Sequence, residues 1–177
     1  MFTDKTYFKG ELAIANKTMA SVQDNLNDII AVRELEYLKK VMGLKLYRAF
    51  MEGLSADTPD ARWTDIKNGC DFTDECGNLR EWSGFVNSNK ISPIANYVYY
   101  WYLRNQQTFT SGGGEKTSES QNAADADPIL KFMRAWNAGA DMTLTLQMLL
   151  ASKVEGEAVY PEFDTNLYGN IEKMSWL

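Results

Sequence analysis

Large apolar residues recur along this chain at helical rather than strand spacing, and they mark out three long segments. The first opens at Ser21, with Asp24 three residues on as a weak capping box, and buries Val22, Leu26, Ile29 and Ile30. A separate helical stretch then carries Leu35, Leu38, Val41 and Met42 on one side, and Gly43 can cap or kink it. Leu46, Tyr47, Phe50, Met51 and Leu54 then carry it to Gly53 and the polar run 55–59. The second segment, residues 92–110, has Ser92 as N-cap and Pro93 in the first turn. Ile94, Val98, Trp101 and Asn105 share one face and Tyr97, Tyr100 and Arg104 the next, with Tyr99 and Tyr102 between them. So many rings predict a central helix roughly 28 Å long, touched on several sides. Core packing and a flat aromatic surface for sugars or bases both account for this composition. The third segment restarts at Asp127 and Pro128 and runs to about Lys153, with Ile129, Met133, Trp136, Ala140, Leu144 and Met148 on one face and Phe132 and Leu149 beside them. It is expected to pack antiparallel on the second. Tyr97, Trp101, Phe132 and Trp136 are the expected structural core of that pair.

Between these segments the pattern changes. Residues 63–67 read as one short helical turn. Residues 70–82 read as a small hairpin with a long turn, anchored by Phe72 and Trp82 and projecting from the body. Residues 111–126 are glycine-rich and polar and read as a flexible loop. The two ends, residues 1–18 and 160–177, carry aromatics without a dependable period, and a brief strand over 11–15 is the one element suggested there. They read as extended arms. Phe2, Tyr7, Phe8, Phe163, Tyr168 and Trp176 are their candidate interaction residues. The expected architecture is mainly α: one domain of residues 1–177, a helical bundle over 21–153 around the central aromatic helix, with a projecting β-hairpin and two terminal arms.

Composition narrows the chemistry. The net charge is −6 over 177 residues, and there is no histidine. Recognition of nucleic acid normally shows a basic stripe, and none is visible. Without histidine the chain lacks the commonest general base and metal ligand. Cys70 and Cys76 cannot complete a zinc site alone, and they read as two free thiols in a reducing compartment. Asp71, Asp74 and Glu75 lack the spacing and closing glutamate of an EF-hand. Gly112–Thr117 fails as a phosphate loop, because Glu115 stands where a glycine should precede Lys116-Thr117. Asp24, Asp28, Glu34 and Glu36 read as the solvated face of their helix. No apolar run reaches the length of a membrane span, so a soluble protein made in a cytoplasm is expected. No cofactor, no metal and no catalytic constellation is expected.

The segment from Leu44 to Phe50, LKLYRAF, the run from Ser92 to Tyr102, SPIANYVYYWY, the glycine-rich loop and Arg134-Ala135-Trp136-Asn137 together resemble an uncharacterised family encoded by tailed phages and prophages of gut bacteria, near other head and tail genes. The resemblance covers roughly residues 2–150. That family is more distantly similar, at the level of fold, to the small helical head-tail connector proteins that form a ring beneath the portal. What the resemblance implies is a virion structural protein, present in the host cytoplasm during assembly and then at the head-tail junction. Its implied partners are the portal, other head and tail proteins, and neighbouring copies in a ring. The acidic balance suits a ring through which DNA slides without sticking. A monomeric binding or regulatory module using an aromatic surface is the alternative from another class, and an enzyme with two opposed carboxylates is a third.

Overall fold

The computed structural model describes residues 1–106, 108–111, 114–117 and 128–175, with backbone alone for 108–111, 114–117, 128 and 129. The chain is mainly α. Helix α1 (Ala20–Ser55) is followed by α2 (Ala61–Asn68), the hairpin β1 (Cys70–Thr73) and β2 (Leu79–Trp82), and α3 (Pro93–Gln106). A second hairpin, β3 (Thr108–Ser111) and β4 (Gly114–Thr117), precedes α4 (Pro128–Leu150), and the short pair β5 (Lys153–Val154) and β6 (Glu157–Ala158) follows it.

Gly43 kinks α1. Its φ of 74° and ψ of 158° lie outside the helical region, where a side chain would be strained. The carbonyl of Lys40 accepts instead from the Gly169 amide at 2.6 Å, so the C-terminal segment supplies a hydrogen bond at the kink. The buried stripe of α1 runs through Leu26, Ile30, Glu34, Tyr37, Leu38, Val41, Met42, Leu46 and Phe50. Leu35, expected on it, lies 40% exposed, because the observed stripe steps from Glu34 to Tyr37 and Leu38.

Helix α3 packs against both α1 and α4. Every residue from Pro93 to Tyr100 is buried. It ends at Gln106, giving roughly 21 Å at the usual rise rather than 28 Å. The chain then turns extended, since Thr108, Phe109 and Thr110 favour a strand. The Ser92 hydroxyl is buried and makes no hydrogen bond among the described residues, so the helix lacks that side-chain cap. Helices α3 and α4 run antiparallel: Tyr100 meets Phe132, Tyr97 meets Trp136, and Asn96 donates to the Ala135 carbonyl at 2.8 Å and touches Gly139. A Cβ at Gly139 would sit 3.0 Å from that of Asn96, so glycine permits the close approach. Met133, Ala140 and Leu149 are buried as expected, the buried face of α4 also takes in Ala135, Thr143, Leu146 and Leu150, and Leu144, expected to be buried, is 52% exposed.

The hairpin of residues 70–82 is present. Cys70 pairs with Trp82, Asp71 with Glu81, Phe72 with Arg80 and Thr73 with Leu79. Phe72 and Trp82 are buried, and the indole of Trp82 donates to the Ile66 carbonyl at 2.9 Å. Part of the expected loop at 111–126 is the second hairpin, with Thr108 opposite Thr117 and Ser111 opposite Gly114; residues 118–126, and Asp127 after them, lie outside the described residues.

The chain ends differ most from expectation. Residues 1–18 are not an extended arm. They form 3-10 turns at Lys5–Tyr7 and Gly10–Leu12, where a strand was suggested. Tyr7 and Phe8 are buried, and Phe2 stacks on Phe50 with ring centroids 5.6 Å apart. Residues 160–175 are likewise bound to the body. The buried Tyr160 donates to the Arg62 carbonyl at 3.1 Å, and Arg62 grips Glu162 with both terminal nitrogens. Ile171 is buried, and the Met174 amide donates to Asn137 at 2.7 Å. Large aromatics gain most when buried, and here the chain's own body supplies that cover.

Candidate functional site

A cleft of about 950 Å³ opens between the N-terminal turns, the 89–91 loop and the first half of α4. Its depth has a sequence cause. Along α4, Leu130, Arg134, Ala138 and Met142 recur at fourfold spacing beside Lys131 and Ala135, and the alanines have nothing beyond Cβ to fill the space. Leu12 and Ile91 complete the apolar floor from the opposite wall. The loop is fixed by Asn87, whose side chain accepts from the Ile91 amide at 3.1 Å and donates back to its carbonyl at 2.6 Å.

The rim is cationic although the chain is acidic. Lys9, Lys90, Lys131 and Arg134 line the cleft, with Glu11 as the one carboxylate among its described lining residues. None of the four cations forms an ion pair with another described residue. The Lys90 ammonium stands 5.0 Å from the centre of the Tyr7 ring, and that of Lys131 stands 5.7 Å from the Tyr99 ring. Such aromatic faces hold a cation in place without neutralising it. Apolar cover with several fixed positive charges suits an apolar group flanked by carboxylates. A paired-carboxylate hydrolysis needs a second acid, and this lining offers Glu11 alone.

The residues singled out from sequence are distributed differently. Tyr97 is buried, and its hydroxyl donates to Glu36 at 2.9 Å. Burial, together with the Glu36 carboxylate, pushes that hydroxyl up to about 12. Trp101, Phe132 and Trp136 are half-buried at the edge of the core. The Arg33 guanidinium lies over Trp101 at 4.0 Å. Tyr100 joins Trp101, Phe132 and Trp136 into one aromatic cluster. Among the interaction candidates, Phe2, Tyr7 and Phe8 pack into the body, with the Tyr7 hydroxyl donating to the Phe85 carbonyl at 3.1 Å. Of these, Tyr7 also lines the cleft. Phe163 and Tyr168 stack on each other at 5.2 Å, and Trp176 lies outside the described residues.

Among the described residues no group of three or more His, Cys, Asp or Glu is placed to hold an ion. Asp74 instead organises the hairpin turn, accepting from the Asn78 and Cys76 amides and from Arg80. The Asn78 amide first, then Arg80, holds its carboxyl down at about 2. Cys70 and Cys76 are unpaired, and burial raises the Cys70 thiol to about 11. Among the described residues no helix is long and apolar enough to cross a membrane.

Sequence reasoning missed Glu34. It is buried rather than solvated, and accepts the Phe2 and Thr3 amides at 3.0 Å. Burial pushes its carboxyl up, against the hydrogen bonds that stabilise the charge. The cleft was missed as well, because its cations are scattered over three parts of the chain. Comparison with family models, with curated proteins and with solved structures finds no match to the chain.

Proposed function

We propose that this chain is a structural protein of a tailed-phage virion, an adaptor at the head-tail junction that works by docking rather than by chemistry. The observation that carries the reading is the cleft, whose apolar floor and cationic rim suit a protein segment bearing carboxylates. Phosphate backbones are gripped through extended basic stripes, and a net charge of −6 opposes that. The sequence resemblance supplies the setting: assembly in the bacterial cytoplasm, with the portal and neighbouring copies in a ring as partners. In this reading the bundle is organised around α3. Its rings support the wall from which the cleft opens, since Asn96 lines the cleft and Tyr99 faces Lys131.

Attachment to portal-bearing heads that lack the protein tests the proposal. The native chain is expected to bind, and Lys131→Glu with Arg134→Glu to weaken binding by about tenfold or more, as loss of complementary charge does. Native chain that does not attach overturns the adaptor. Attachment by the variant at full strength removes the cleft from the contact. A single copy bound to a non-virion protein, with no ring, supports the monomeric module instead.

A further inference from the structure

One face of the first hairpin, which borders a groove with residues 87–91, carries two acids that form no ion pair among the described residues. Asp71 and Glu81 stand directly opposite each other across β1 and β2, and both are exposed. Like charges in that position destabilise a hairpin. Arg80 lies on the other face, opposite Phe72, and its ion pair is with Asp74 at 2.9 Å. No other described cation pairs with the two acids. Two residues further along the same face, Leu79 is 76% exposed, the most exposed large apolar side chain described. A two-residue period places Asp71, Thr73, Leu79 and Glu81 together on that face, while Phe72 and Trp82 bury the other.

An exposed leucine beside two carboxylates is the complement of the cleft, which sets apolar residues beside three lysines and an arginine that form no ion pair among the described residues. We infer that the cleft is the seat for the β1–β2 hairpin of a second copy of this chain. Leu79 enters over Leu130 and Ala138, and Asp71 and Glu81 meet Lys131, Arg134 and Lys90 at the rim. The same docking relieves the opposed acids and gives the cations of the cleft carboxylate partners. The inference rests on the adaptor reading only for its setting, because the contact itself is a property of the purified protein.

Sedimentation of the full chain over rising concentration, into the hundreds of micromolar, reads the contact directly. Association is expected, and it should weaken with added salt. Asp71→Lys with Glu81→Lys, and separately Lys131→Glu with Arg134→Glu, should each weaken association by about tenfold or more. Mixing the two charge-reversed variants should restore it, because each hairpin then faces a cleft of opposite sign. Asp71→Asn with Glu81→Gln guards against misfolding. It should leave the monomer at least as heat-stable while weakening association, a combination that a purely structural role would not produce. A carbodiimide cross-link between Glu81 and Lys131, found between isotope-labelled and unlabelled copies, would place the contact. A chain that stays monomeric throughout, or variants that do not restore each other, would overturn it. A closed dimer upholds the contact but contradicts a ring, which separates failure of this inference from failure of the adaptor reading.

Discussion

Glu34 accepts the amides of Phe2 and Thr3 from a site where 6% of its surface is exposed, and so ties the start of the chain to α1. Removing the carboxylate leaves two amides without their acceptor, a cost of about 1 to 3 kcal/mol for a buried group. Glu34→Ala should lose that much stability in chemical denaturation and speed amide exchange at residues 2 and 3, with Glu34→Gln losing less. A loss below about 0.5 kcal/mol, the level of an ordinary surface substitution, would contradict this role. Because burial raises its pKa, the carboxyl contributes most in its protonated form, below the unfolded value, and that contribution is lost as pH rises through the folded value. The position was legible where the residue type was not. Residue 34 lies four after Ile30 and four before Leu38 on one helical stripe, yet a glutamate argues for solvent. Tyr97 is buried among rings. Trp101 reaches the edge because α3 leaves the body after Tyr102.

At the level of elements, strong period carried the reading and weak period failed it. The long helices and the 70–82 hairpin follow from spacing and turn residues, and so does the kink that only a glycine at φ 74° allows. The exposure of Leu144 on α4 was hidden, because the close approach is set by small residues and the stripe of large ones includes it. The β3–β4 hairpin was obscured by the glycines that follow Ser111. The turn of the first hairpin makes a pH-dependent prediction. Asp74 is held at about 2 against an ordinary 3.8, so its folded pKa is depressed. Its contribution is therefore present above pH 3.8 and lost as pH falls towards 2. The Cys76 and Asn78 amide resonances should titrate in that lower window and lose their protection there. A midpoint at the ordinary carboxylate value would contradict the bonds described.

For the whole molecule, the terminal segments decide what is free to meet a partner. Their aromatics lack a period because they sit in 3-10 turns and irregular chain, where burial is set by packing and leaves no trace in spacing. Phe2, Tyr7, Phe8 and Tyr160 are used inside the chain, which leaves the hairpin face and the cleft as the surfaces we propose for assembly. Neither was legible as a unit, since the cleft collects residues from positions 7 to 142. We propose that these surfaces serve a virion adaptor. Electron microscopy of intact particles at the head-tail junction tests it most directly. The account predicts a ring of this chain against the portal, with the β1–β2 hairpin and the cleft both inside contacts. Particles whose junction is complete without this chain, or a chain seated there with both surfaces facing solvent, would contradict it.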